Sequence, residues 1–199
     1  MNGATNDNAT TYTIEQTVPL NALEKDGFAF RGWFTNAQFE GNAANEISAG
    51  ASGDTTFYAK WLEIFTITYA AGEGDDITGA VAAGTKTATE DATLSNDGFT
   101  REGYTQTGWK TEDGSVTYDM GATYTTDASV TLYPIWEVET YNIVYHNIEG
   151  ATFETSNPET FTVEDGDIAL NSPAKTGFNF LGWSLTENST EYVDGVAAG

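Results

Sequence analysis

Apolar Phe65, Ile67 and Tyr69 alternate with Thr66 and Thr68, and further along the chain Tyr141, Ile143 and Tyr145 alternate with Asn142 and Val144. Such alternation turns one row of side chains into a core and the other toward solvent, so both segments are predicted as strands. Tyr12-Thr13-Ile14 and Phe161-Thr162-Val163 carry a second strand signal. A third lies in Gly27-Phe28-Ala29-Phe30-Arg31-Gly32-Trp33, which returns as Gly103-Tyr104-Thr105-Gln106-Thr107-Gly108-Trp109 and as Gly177-Phe178-Asn179-Phe180-Leu181-Gly182-Trp183. The glycine ahead of each tryptophan predicts a bulge, which brings Phe28, Phe30 and Trp33 to one core. A closing strand is predicted over Thr55 to Trp61 and over Val130 to Trp136. Pro134 has no N–H, so that strand is an edge there or leaves one position unpaired.

Helix signals are poor, since no window keeps an apolar i, i+3, i+4, i+7 face for three turns. The best helical candidate is a short turn at Ala43-Ala44-Asn45-Glu46, inside a variable stretch from Asn36 to Gly53. Its counterpart runs from Thr111 to Ala128, and Phe39, Tyr118 and Tyr192 are the aromatics in these connections able to plug a core.

The phrases recur in one order at one period. The Gly-Trp tryptophans Trp33, Trp109 and Trp183 are almost evenly spaced, and Phe57-Tyr58-Ala59-Lys60-Trp61 returns after nearly the same interval as Leu132-Tyr133-Pro134-Ile135-Trp136. Self-similarity of this kind marks a tandem array. The predicted modules are 1–64, 65–140 and 141–199. The first lacks the opening aromatic-x-Ile-x-Tyr phrase and the third lacks the closing Tyr-x-x-Trp phrase, so the chain reads as a piece of something longer. Four or five strands with one connection per module make a small, mainly antiparallel sheet. The fold class expected is mainly β, with α+β as the alternative. A module this small buries only about 60% of its unfolded surface and gains stability from its neighbours.

These phrases resemble the Listeria–Bacteroides repeat, also called the internalin B-repeat. The segment from Ile47-Ser48-Ala49-Gly50 through Phe57-Tyr58-Ala59-Lys60-Trp61 is especially similar, and the resemblance covers all three modules. Gln106 in place of the second aromatic, and Pro134-Ile135 in place of Ala-Lys, depart from the pattern in the second copy. The resemblance implies small β-grasp-like sheets similar to ubiquitin and SUMO. It also implies a bacterial cell-surface or secreted protein, and it brings no catalytic residues with it.

Thirty acidic against seven basic residues give a formal charge of −23. That balance disfavours nucleic acid and anionic membranes, because phosphate contacts need clustered Lys and Arg. It fits a solvated acidic surface. No cysteine is present, so no disulfide holds the modules. No apolar stretch is long enough to span a bilayer as a helix, so no membrane insertion is expected. The start, Met1-Asn2-Gly3-Ala4, shows no signal-peptide pattern.

Candidate chemistry is thin. His146 is the sole histidine, with no cysteine and no Gly-x-Ser-x-Gly setting to make a nucleophile, and it supplies too few ligands for zinc. Glu73-Gly74-Asp75-Asp76, Glu112-Asp113 and Glu164-Asp165-Gly166-Asp167 lack EF-hand spacing, and turn chemistry accounts for their Asp-Gly pairs. The Asn8-Ala9-Thr10 and Asn188-Ser189-Thr190 sequons read as coincidence. Lys60 has Ile135 as its counterpart, so the recurrent buried lysine of an isopeptide crosslink is absent. Trp33, Trp109 and Trp183 are expected as core anchors rather than a sugar platform, because each module must rebuild the same core. Catalytic, cofactor-binding and metal-ligating residues are therefore expected to be none, with no cofactor and no enzyme activity.

The function expected is a non-catalytic stalk or structural spacer holding an adhesive domain away from a bacterial cell wall. The alternative is an adhesive module presenting its variable loops to a host protein or glycan. Its partners are neighbouring modules, and its location is extracellular or the cell surface. A missing strand leaves unpaired N–H and C=O groups and uncovers Phe28, Phe30 and Ile14 at one end and Phe178, Phe180 and Ile143 at the other. Head-to-tail self-association through those open edges is expected from it.

Overall fold

The computed structural model describes residues 3–74 and 76–197. Every regular element among them is a strand, so the chain is a mainly β protein. Thr, Tyr, Val and Ile populate these strands because their branched or aromatic side chains suit a pleated, half-buried surface. The residues gather into two compact units, one holding 1–70, 81–97 and 109–133, the other 71–80, 98–108 and 134–199.

The first unit is organised by one long strand. In chain order its elements are β1 (Val18–Pro19), β2 (Phe28–Phe34), β3 (Glu46–Ile47) and β4 (Tyr58–Tyr69). The twelve residues of β4 contain most of the closing phrase of the first repeat and the opening phrase of the second. Its first half pairs antiparallel with β2, from Phe34↔Tyr58 to Phe28↔Glu63. Its second half pairs antiparallel with a strand at residues 84–87, from Ile64↔Thr87 to Ile67↔Gly84. A segment at residues 130–132 then adds in parallel, Val130 beside Ile67 and Leu132 beside Tyr69. Ile67 and Leu132 are both fully buried there. The repeat boundary is thus crossed without a break in the strand.

The bulge falls where the glycine predicts it. The β2–β4 register shifts between Phe30↔Trp61 and Trp33↔Ala59, one extra residue on β2. Phe30 and Trp33 consequently meet edge to face, 5.6 Å between ring centres, on one core. Gly32 sits at φ 110°, and a Cβ added there would lie 2.6 Å from the Ala43 Cβ. Gly32→Ala should therefore lose about 1–3 kcal/mol to backbone strain alone, measured as a lower urea midpoint at unchanged m-value.

Three expectations for the first repeat are corrected. Ala43 to Glu46 forms no helix: the Ala44 N–H donates to the Trp33 carbonyl at 2.7 Å, and β3 pairs with β1, Val18 opposite Ile47. Sheet pairing takes the backbone groups a helical turn would need. Tyr12 to Ile14 is not a strand either, and β4 begins only at Tyr58, without Thr55, Thr56 and Phe57. In the second repeat Lys86 and Thr87, the counterparts of Tyr12 and Thr13, and residues 130–132, the counterparts of Thr55 to Phe57, lie in strands that pair with β4 along the opening phrase. The first repeat has no such phrase in this chain.

The second repeat continues with β5 (Ile77–Thr78), β6 (Gly84–Thr87), β7 (Ala92–Thr93), β8 (Thr100–Arg101), β9 (Tyr104–Lys110), β10 (Thr117–Asp119), β11 (Thr123–Tyr124) and β12 (Val130–Val138). In the first unit β7 pairs with β11, and the adjoining Leu94 is buried. In the second unit β9 lies between β12 and β8, with β5 beyond. The Glu139 N–H donates to the Gly103 carbonyl at 2.8 Å, as the Ile64 N–H does to Gly27, so the two copies close identically.

Among the described residues the third repeat has only short pairs: β13 (Tyr141–Asn142) with β14 (Thr160–Phe161), and β15 (Ile168–Ala169) with β16 (Gly195–Val196). Its Gly-Trp phrase is not a strand, in contrast to the expectation; only Trp183 forms an isolated bridge, to Val193. Phe178 and Leu181 are 70% and 75% exposed. Without a closing phrase alongside, residues 178–182 have no ladder to join.

Candidate functional site

Each repeat builds the same anchor. The indole N–H of Trp33 donates to the Asn21 carbonyl at 2.8 Å, that of Trp109 to Ser95 at 3.1 Å, and that of Trp183 to Asn171 at 3.2 Å. Trp33 and Trp109 are buried, and Trp183 is half-buried. Where the opening phrase is present its tyrosine covers the indole: Tyr69 lies 4.5 Å from Trp109, and Tyr145 lies 5.3 Å from Trp183. The Tyr69 hydroxyl also accepts the Ser95 N–H at 2.7 Å, fixing the residue that receives the indole.

The first and third repeats fix that residue differently. Asn8 accepts the Asn21 N–H at 2.5 Å and donates back to the Asn21 carbonyl at 3.2 Å. Asn157 does the same to Asn171, at 2.6 and 3.2 Å. The Asn8 of the first sequon therefore has a structural task, whereas Asn188 of the second sits at φ 61° and makes no such clasp among the described residues.

The few cations follow the repeat as well. Lys25 sits 3.7 Å from the centre of the Phe28 ring, Arg101 3.8 Å from Tyr104, and Lys175 5.2 Å from Phe178. All three occupy the position two residues ahead of the phrase-opening glycine, so three of the seven basic side chains serve one repeated turn. The quadrupole of an aromatic face attracts a cation placed this way. Arg101 also pairs with Asp76 at 2.6 Å, and that contact holds the Asp76 carboxyl below its usual range.

One cation among the described residues is buried. Lys86 in β6 is 1% exposed and pairs with Asp127, which lies just ahead of β12 and is depressed in pKa chiefly by this hydrogen bond. Removing the carboxylate alone strands a buried charge, while replacing the lysine with an apolar chain of similar volume does not. Asp127→Asn should therefore lower the melting temperature, and Lys86→Met should leave it equal or higher. A depressed carboxylate contributes stability above its unfolded value and loses it as pH falls through the folded one. The gap between the native chain and Asp127→Asn should thus be full above pH 3.8 and close below it, measured by urea unfolding across that range.

The acidic clusters serve turns. Asp113 accepts from the Thr111 and Ser115 hydroxyls and the Ser115 N–H, which lower its pKa to about 2. Asp165 accepts from the N–H and hydroxyl of Thr162, and Glu164 from the Tyr104 hydroxyl at 3.0 Å. Asp75 of the first cluster lies outside the described residues. Among the described residues no three His, Asp or Glu groups gather as metal ligands. His146 is exposed on the segment after β13. Phe39 packs on Phe34 and Tyr118 on Tyr124, edge to face, and the Tyr192 ring lies against Gly182.

A profile of the Listeria-Bacteroides repeat domain matches residues 1–60, 65–134 and 141–197. The chain belongs to the Listeria-Bacteroides repeat family. It holds three tandem copies, of which the outer two lack phrases present in the middle one. Two relatives come from Evansella cellulosilytica and bear provisional membrane-protein names, one described as Gly-rich. The Gly-rich protein is 28% identical over 186 residues, covering 86% of this chain and 21% of the relative. The other is 25% identical over 189 residues, covering 91% of this chain and 26% of the relative. The chain thus spans about a fifth to a quarter of the curated relatives it matches. No solved structure matches it at a significant level. Among the described residues no helix is long and apolar enough to cross a membrane.

The repeat meets its neighbour through more than the backbone. Arg31 of the first copy grips Glu90 of the second, Nε to Oε1 at 2.8 Å and Nη2 to Oε2 at 2.5 Å. The pair is exposed and adds little stability on its own. Between the second and third copies Tyr104 bonds Glu164, and Val163 lies where a Cβ on Gly103 would stand. Sequence reasoning missed the Asn8 and Asn157 clasps and the Lys86–Asp127 pair. The recurring basic residue ahead of each glycine was the one signal available for the cation series.

Proposed function

We propose that the chain is a non-catalytic structural spacer of a bacterial cell-surface or secreted protein, built of modules at 1–64, 65–140 and 141–199. The observation that carries the reading is β4, a single strand that serves two successive copies. A spacer has to transmit position from one module to the next, and a shared strand leaves no flexible linker between them. The side chains of the repeats are used to rebuild the same core: indole, tyrosine, turn cation and turn carboxylates each have an internal partner. The membrane-protein names of the relatives support a location at the cell surface. The −23 charge supports a solvated exterior.

Small-angle scattering on chains carrying increasing numbers of the repeat tests this. A spacer lengthens by a constant increment per copy, and a maximum dimension that does not grow overturns the reading. Glycan arrays and host-protein screens test it from the other side. Saturable binding lost on swapping the Thr111–Val116 connection would replace the spacer with an adhesive module.

A further inference from the structure

The chain enters the second repeat along its opening phrase, Phe65 to Tyr69 of β4, and leaves it along the closing phrase in β12. The two segments lie side by side and run in the same direction, Val130 beside Ile67, Thr131 beside Thr68 and Leu132 beside Tyr69. Both ends of this ladder are fastened. The Thr66 N–H donates to the Ser129 Oγ at 3.0 Å, and the Ala70 N–H donates to the Leu132 carbonyl at 2.9 Å. Ile67 and Leu132 are buried, so water has little access to compete for the bonds between them. On its other side the opening phrase pairs with β6, from Ile64↔Thr87 to Ile67↔Gly84. Lys86 of β6 pairs with Asp127 just ahead of β12, so the two neighbours of the opening phrase are tied to each other as well as to it. Residues 70–129 lie off the direct line from one parallel segment to the other.

We propose that the second repeat is a force-bearing clamp, in which tension on the chain passes from the opening phrase straight into the closing phrase. Tension pulls Phe65 toward the N-terminus and Leu132 toward the C-terminus. Because the segments are parallel, these opposed pulls act along the ladder, whose evenly spaced bonds share the load. Had the segments been antiparallel, both pulls would act at one end and open the bonds one after another. Drawing the opening phrase out along its axis also breaks its ladder with β6 and exposes Ile67 in the same step. Residues 70–129 carry no load until the ladder parts, so the variable connection within them can change without weakening the clamp. The proposal rests on the spacer reading for the source of the tension. The clamp itself is a property of one copy, so its failure would leave a constant gain in length per copy untouched.

The test pulls the full chain in optical tweezers through pairs of introduced cysteines, which are unique handles because the chain has none of its own. Glu63→Cys with Glu137→Cys, both exposed positions, loads the ladder in shear. Glu63→Cys with Ala128→Cys, also exposed, pulls both segments from their N-terminal ends and peels the same ladder. Forced unfolding follows the barrier met along the pulled direction, whereas equilibrium stability has no direction. At one loading rate the shear pair is therefore expected to rupture at roughly twice the force of the peel pair or more. That rupture should free residues 64–136 in one step, a gain of roughly 200 Å or more at about 3.3–3.6 Å per residue. Equal forces in the two directions overturn the proposal. A first shear rupture that frees much less chain also overturns it, by placing the load on contacts other than this ladder.

Discussion

Replacing Trp109 with alanine should destabilise the chain by about 3–5 kcal/mol, the usual loss for a large aromatic in a packed core. Trp109 is 0% exposed, packs 4.5 Å from Tyr69, and gives its only donor to the Ser95 carbonyl. Truncation empties that volume and takes one of two donors from the Ser95 carbonyl, which keeps the Gly121 N–H at 3.3 Å, so the transfer and cavity costs carry the loss. The same change at Trp183 should cost less, because that indole is half-buried in a repeat with no closing strand beside it. Urea unfolding of both variants measures the two losses. Equal costs would mean that the third repeat is as well packed as the second.

Ile67→Ala should follow at about 2–5 kcal/mol. Ile67 is 1% exposed where β4 meets β6 on one side and β12 on the other, with Gly84 and Val130 as its register partners. No nearby chain can collapse into the space without breaking one of the two ladders. Its counterpart Ile143 is only half-buried and donates its N–H to the Glu159 carbonyl outside any named strand. Ile143→Ala should therefore cost well under half as much. Thermal or urea midpoints of the pair read the difference. A reversal of the order would place the better-anchored opening phrase in the third repeat.

Much of this architecture is legible in the sequence where the signal is local. The Gly32-Trp33 dipeptide announces the bulge, because a bulge needs a residue free to take φ near 110° and the structure puts it there. The alternation of Phe65, Ile67 and Tyr69 announces a half-buried strand. What was not legible depends on partners far along the chain. Tyr12 to Ile14 has the composition of a strand, yet strand formation needs a neighbour, and the phrase that would supply it does not occur in the first repeat. Ala43 to Glu46 has helix-forming residues, yet the Trp33 carbonyl claims the Ala44 N–H. Phe178 and Phe180 look like their counterparts Phe28 and Phe30, but only the latter have Glu63 and Trp61 across from them.

The side-chain network shows the same division. Lys25 and Arg101 stand in register in the sequence, and the aromatic ring three residues later is the reason. Lys86 gave no such signal, since Phe161 occupies its place in the third repeat and Asp127 lies far along the chain. Asn8 drew attention as a sequon, although its amide is held by Asn21 and has its counterpart in Asn157.

The central claim is that the first two repeats act as one cooperative body because β4 belongs to both. Labelling the chain with 5-fluorotryptophan and following its 19F resonances through a urea titration tests this most directly, since each indole reports its own repeat. Trp33 and Trp61 lie in the first repeat, and Trp109 of β9 reports the second, packed on Tyr69 at the far end of β4. The account predicts that the native resonances of all three vanish with one midpoint and one slope. Loss of Trp33 and Trp61 at clearly lower urea than Trp109 would contradict it, and would make the repeats independent beads on a string.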